Sequence, residues 1–138
     1  MIKVYIASPY TIGDVAVNVK IQMDTADELM NKGFVPFTPL YSHFQHMAHP
    51  RPYEDWLKID FEWIPVCDCL LRLPGDSSGA DKEVEFAISK DILVFYSIYD
   101  LCQYYNEFDK LDESEKIEKN DLKESRNFGS PWNRNINI

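Results

Sequence analysis

One segment of the chain carries residue types suited to chemistry on a small molecule. It reads Leu73-Pro74-Gly75-Asp76-Ser77-Ser78-Gly79-Ala80-Asp81-Lys82-Glu83-Val84-Glu85-Phe86-Ala87. The apolar run before it, Cys69-Leu70-Leu71-Arg72-Leu73, has the pattern of a buried strand, and Val84, Ala87 and Ile88 follow at helical spacing. A helix opened by a loop of glycine and serine offers free backbone N–H groups to an anion or a sugar. Glu83 falls in the first turns, where the helix dipole favours a carboxylate, so it is expected to be ionised and able to act as a nucleophile. A purely structural account also exists. Ser78-Gly79-Ala80-Asp81 fits a capping box with Ser78 as N-cap, and Glu83 and Glu85 fit solvated helix charges. That account leaves unexplained why Ser77 and Gly79 are both small and why glycines flank the serines.

The rest of the chain supplies elements to position this segment. Residues 2–7 are short, apolar and β-branched, as in a central parallel strand. A loop at 8–14, beginning with Ser8, leads to a helix over 15–32 capped by Asp14, with Val19, Met23, Ala26 and Met30 on one face and Gly33 as its stop. Residues 34–37 read as a short strand, placed at an edge by Pro36. Residues 38–52, rich in proline and histidine, read as a loop over the carboxyl edge of the sheet. Its His43, His46 and His49 lack the neighbouring cysteines or carboxylates of a metal site, and His43 is expected to line a substrate pocket. A second amphipathic helix over 53–64 carries Trp56, Ile59, Asp60 and Trp63, and strands are expected over 68–73 and 92–96, with a helix to Lys90 between them. Strand–helix alternation with short connections predicts an α/β doubly wound parallel sheet of four to five strands with helices on both faces. Ligands in such sheets bind beyond the carboxyl ends of the strands, which collects the loops after Ala7, Phe37 and Leu73 and brings Tyr5 and Asp68 towards the crevice floor.

Composition limits the partners. The net charge of -9 opposes a nucleic-acid backbone, and Cys67, Cys69 and Cys102 are too few and too poorly spaced for zinc or a disulfide framework. Free thiols in a cytoplasmic protein are expected, with no metal or other cofactor. The amino terminus reads as a strand rather than a signal peptide, and no apolar run is long enough for a membrane. One α/β domain over 1–107 is expected, followed by a charged linker and aromatic tail over 108–138 with Phe128 and Trp132. An aromatic in a polar tail docks on something, so a homo-oligomer with tails packed on neighbouring subunits is expected.

Three motifs in order carry a family likeness: Tyr5-Ile6-Ala7-Ser8-Pro9-Tyr10, the acid at Cys67-Asp68-Cys69, and Ser77-Ser78-Gly79-Ala80-Asp81-Lys82-Glu83 with Ala87. Together they resemble the nucleoside 2-deoxyribosyltransferase family and its relatives that hydrolyse nucleoside monophosphates. The resemblance spans residues 1–96. It implies a flavodoxin-like sheet, Glu83 as the nucleophile at the anomeric carbon, Asp68 as the acid for the leaving base, and Tyr5 as the group orienting the nucleophile. It places Ser77 on the substrate, a small-molecule nucleoside or nucleotide; Ser8, Ser78, Gly79 and His43 are expected there from their loops at the crevice, although the segment over 38–52 is unlike the best-known members of the family. Ser77 matches the monophosphate hydrolases and favours a 5′-phosphate, whereas the loop over 9–14 lacks the arginine those hydrolases use. The chemistry suits the residue types, because an oxocarbenium-like state needs an ionised carboxylate below the ring and a second acid for the departing base. Two rivals remain at this stage: a nucleotide-binding module without chemistry, and a sensor or interaction protein acting through its tail. A phosphate binder gains nothing from a buried carboxylate beside the anion.

Overall fold

The computed structural model describes residues 1–109, with side chains through 107. The expected domain division at 107/108 and the aromatic tail therefore lie outside the described residues. Four strands, β1 (Lys3–Ala7), β2 (Val35–Phe37), β3 (Cys69–Arg72) and β4 (Leu93–Phe95), form one sheet in the order β2-β1-β3-β4. Every pairing is parallel, with Val4 opposite Pro36 on one side and Cys69 on the other. This is the flavodoxin-like order over its first four strands. The chain moves outward from β1 in one direction to β2 and then crosses to the other side for β3. The strand order thus reverses between β1 and β3, and the loops leaving these strands splay apart to form a crevice.

Five helices accompany the sheet: α1 (Val15–Asn31), α2 (Ser42–Ala48), α3 (Tyr53–Trp63), α4 (Ser78–Ser89) and α5 (Ile98–Asp109). Strand alternation divides the core into two layers. Val4, Ile6, Cys69, Leu71, Leu93 and Phe95 pack with Ala26 and Leu29 of α1 and Leu101 and Tyr104 of α5. On the other face Tyr5, Ala7, Leu70 and Val94 pack with Ile64 and with Ala80, Val84 and Ala87 of α4. Helices cover both faces, as expected. No disulfide joins the three cysteines.

Several elements differ from expectation for identifiable reasons. In α1, Asp14 caps Val17 N at 3.1 Å and Gly33 follows with φ +85°, but the buried stripe is Val19, Gln22, Ala26 and Leu29, leaving Met30 exposed. Gln22 belongs inside because all its polar groups are satisfied. Its amide N donates to Ile6 O at 3.0 Å and Ser8 Oγ at 2.8 Å, and its Oε1 accepts from Leu40 N at 2.9 Å. The expected loop over 38–52 instead contains a 3-10 turn, Pro39–Tyr41, and helix α2. Pro39 opens the turn, where a missing N–H costs nothing, and Pro50 and Pro52 follow the helix end. Helix α5 was absent from the sequence expectation although its signals are present. Ser97 Oγ accepts from Asp100 N at 3.0 Å and donates to the Asp100 carboxylate at 2.8 Å, just ahead of the buried Leu101, Tyr104 and Tyr105.

Candidate active site

Three elements meet at the floor of the crevice. β1 contributes Tyr5, fully buried; α4 contributes Glu83, 7% exposed; and α3 contributes Asp60. The Tyr5 hydroxyl donates to Glu83 Oε1 at 3.0 Å, and the half-buried Asp60 carboxyl stands beside both, near enough to bear on their titration. Burial pushes the Glu83 carboxyl well above the ordinary carboxylate range. The charge of Asp60 adds to this, while hydrogen bonding from Tyr5 and the positive charge of Arg72 oppose it. Burial also raises Asp60 to about 6, against hydrogen bonds from Glu83 and Tyr5. Burial therefore opposes the expectation that the helix dipole keeps Glu83 ionised. A dipole at a helix start is worth roughly 0.3–1 kcal/mol, whereas full burial shifts a carboxyl by up to several pKa units. The two carboxyls titrate as a pair rather than independently, because the charge of one opposes that of the other. Tyr5, raised by its burial and then by the Glu83 charge, stays a neutral donor.

The loop above this floor is held by an arginine placed inside β3. Arg72 is 7% exposed, and its Nη2 donates to Gly75 O at 2.9 Å and to Asp81 Oδ1 at 2.9 Å, while Nη1 donates to Leu73 O. Gly75 has φ +112°, and a Cβ there would stand 2.9 Å from Pro9 Cγ, so glycine lets the β3 loop close against the β1 loop. The N-cap of α4 is Ser77 rather than Ser78. Its Oγ accepts from Ala80 N at 3.1 Å, and Asp81 pairs with Arg72 instead of reaching back to the cap. The N–H groups of Ser78 and Gly79 have no hydrogen-bond partner among the described residues.

These parts enclose a cavity of about 280 Å³. Ser8, Ser77, Ser78, Gly79 and Glu83 all line it, so five of the expected site residues are brought together, with Tyr5 immediately beneath through Glu83. His43 is not in the lining. Its Nδ1 pairs with the Tyr10 hydroxyl at 2.7 Å, and Tyr10 is the residue that faces the cavity. Asp68 is not brought to the site. It lies at the amino end of β3, where its Oδ2 accepts from Lys3 N at 2.7 Å, on the sheet edge opposite the crevice loops. The acid beside Glu83 is Asp60, which the sequence reading placed on a helix without a role. Its signal was available: Trp56, Asp60 and Trp63 recur at helical spacing, and a lone carboxylate on such a face is out of place unless it is used. Among the described residues no three His, Cys, Asp or Glu side chains gather as metal ligands.

Comparison with known proteins agrees with the fold. A 2-deoxyribosyltransferase from Bacillus psychrosaccharolyticus is 18% identical with a TM-score of 0.50, over 83% of this chain and 95% of that chain. A CMP N-glycosidase from Clostridium botulinum is 20% identical with a TM-score of 0.46, over 67% of this chain, which spans 65% of the glycosidase. No curated protein matches the sequence. At so low an identity the likeness to the transferase bears on architecture alone. The sequence profile of DUF7768, a domain of unknown function, matches residues 2–97, covering the whole sheet and every cavity residue named above, and the chain belongs to that family.

Proposed function

We propose that the protein cleaves the N-glycosidic bond of a nucleoside or nucleoside 5′-monophosphate, passing the glycosyl group through Glu83 to water or to an acceptor base. The observation that carries this reading is the buried Tyr5–Glu83–Asp60 cluster on the floor of a cavity rimmed by a helix N-terminus. Burial favours the protonated form of Glu83, so the chemistry requires that proton to pass to Asp60 before attack; Glu83 is then a carboxylate whose Oε1 is fixed by Tyr5, leaving Oε2 for the anomeric carbon. Glu83 forms the ester bond as the carbon–nitrogen bond breaks. The electron pair goes to the base, and Asp60 delivers its proton there. Water or a second base then attacks the same carbon, releasing Glu83 and returning a proton to Asp60. Burial supports both roles, since a pKa near 6 leaves Asp60 able to give and take a proton around neutrality.

Ser77 and the unpartnered N–H groups of Ser78 and Gly79 are the groups suited to the 5′ end of the substrate. Arg72 offsets Asp81, leaving Asp76 as the acid on the rim that opposes a phosphate. A binding module without chemistry fits the floor poorly, because two buried carboxyls add repulsion to any anion held there. The test is incubation with a panel of nucleosides and monophosphates, with and without an acceptor base, following free base by chromatography. Release is expected, with higher kcat/KM for a monophosphate than for its matched nucleoside. A tenfold advantage for the unphosphorylated compound would remove the phosphate preference, and no release from any member would remove the enzymatic reading.

A further inference from the structure

His46, in the α2 helix, has no role in the chemistry above, yet it lines the cavity. Its Nδ1 accepts from the Trp56 indole N–H at 3.1 Å and from the Arg51 backbone N–H at 3.3 Å. A ring nitrogen accepting from N–H donors carries no proton itself, so the proton of the neutral ring is on Nε2. Nε2 has no partner among the described residues, and the Trp56 and Arg51 bonds on the other side hold the ring in one orientation at the cavity wall. His46 is therefore a lining residue whose N–H donor is fixed by two other groups.

Its location follows from α3. Trp56 and Asp60 are four residues apart on one helix, a rise of roughly 6 Å, and both line the cavity. His46 is bonded to the Trp56 end of this pair. A planar base leaving from beside Asp60 and lying along Trp56 brings its far edge to His46. We propose, on the N-glycosidic reading of this cavity, that His46 Nε2–H donates to a carbonyl oxygen or ring nitrogen on the far edge of the leaving base, making it a specificity-determining residue held in one tautomer by Trp56 and Arg51.

The test compares wild type, His46→Phe and His46→Gln by calorimetric binding of free bases and by kcat/KM for base release. The bases are paired so that one member lacks a particular acceptor that the other carries: O6 for hypoxanthine against purine, and N7 for purine against 7-deazapurine. His46→Phe is expected to weaken binding of the better acceptor of a pair roughly five- to tenfold, the worth of one neutral hydrogen bond, with little change for its partner. His46→Gln, which keeps a donor, is expected to restore most of the loss. The effect is expected to be equal for a nucleoside and its 5′-monophosphate. In the wild-type nitrogen-15 spectrum the His46 signals, assigned by their loss in His46→Gln, are expected to show an unprotonated Nδ1 and a protonated Nε2. Equal losses for both members of every pair, a loss confined to phosphorylated substrates, a protonated Nδ1, or no binding of any base by wild type each overturn the assignment. Base binding without base release from any nucleoside would instead count against the N-glycosidic reading and leave the His46 contact standing.

Discussion

At the scale of single residues, the cluster of Tyr5, Glu83 and Asp60 makes separable demands. Glu83→Gln keeps the shape of the site but cannot form the ester bond, so base release is expected to fall at least a thousandfold. Glu85, exposed on the other side of α4, should tolerate alanine within about threefold. Asp60→Asn is expected to lower kcat most for bases that leave poorly without a proton. Asp68→Ala should leave kcat unchanged and cost about 1 kcal/mol of stability through the lost bond to Lys3 N. Chromatographic rates and thermal melts on the four variants check this pattern, and an inactive, well-folded Asp68→Ala would return the acid role to β3. The juxtaposition of Glu83 and Tyr5 was legible, since a strand end and the start of the helix after the next strand meet at the crevice. The position of Asp68 was not. Asp68 adjoins the right strand, but one end of a strand faces the crevice and the other does not, and only the direction of the chain through the sheet decides which. The helical spacing of Trp56 and Asp60 shows that they share a face, but that this face meets Glu83 is decided by the packing of α3 on α4.

Stability carries a signature of the same residues. Asp60 and Glu83 have folded-state pKa values above their ordinary values of 3.8 and 4.5. Groups raised in this way contribute fully to stability below their unfolded pKa and lose the contribution as pH rises through the folded value, here about 6 for Asp60 and above. For Asp60 the loss is on the order of 2 kcal/mol. The wild-type Tm is therefore expected to decline between pH 5 and pH 8. Glu83→Gln should melt a few degrees higher than wild type at pH 8, with the advantage shrinking towards pH 4. A constant difference across that range, read by calorimetry, contradicts the buried-pair description.

At the scale of elements, the loop from β3 to α4 is set by Arg72 and Gly75. Gly75→Ala introduces a Cβ at positive φ and against Pro9, so we expect a cost of about 1–3 kcal/mol. A loss of activity larger than the loss of folded protein is also expected, because the β1 and β3 loops are pushed apart. Denaturant melts and kcat/KM measured together check this, and an unchanged Tm would mean that the loop relaxes freely. Arg72 also shows a limit of reading by pattern. It sits in an otherwise apolar strand and is tolerated because its donors meet Asp81 and the carbonyls of Leu73 and Gly75. The same holds for Gln22 in α1. Periodicity located both elements, but a buried polar side chain is intelligible only once its partners from other elements are known. The proline and histidine content of residues 38–52 suits a loop, whereas Pro39 starts a turn and α2 follows it.

At the scale of the whole molecule, the alternation of strands and helices made the parallel sheet and its carboxyl-edge crevice readable without coordinates. The switch between β1 and β3 is where topology requires a site. No described helix is long and apolar enough to cross a membrane. Tyr41, Phe44 and Met47, on the surface of the turn and helix following β2, are 56%, 56% and 68% exposed. Together they give an apolar patch suited to self-association. We expect the chain to sediment as a homo-oligomer at micromolar concentration; a fully active monomer there contradicts this.

A bond between Glu83 and the anomeric carbon can be caught by mixing excess protein with a nucleoside or nucleotide that releases its base, quenching in acid within one turnover, and measuring peptide masses. A glycosyl mass is expected on the peptide containing Glu83, formed as the base appears and absent in Glu83→Gln. Base release at an undiminished rate by Glu83→Gln, or the added mass on a peptide other than the one carrying Glu83, would contradict that bond.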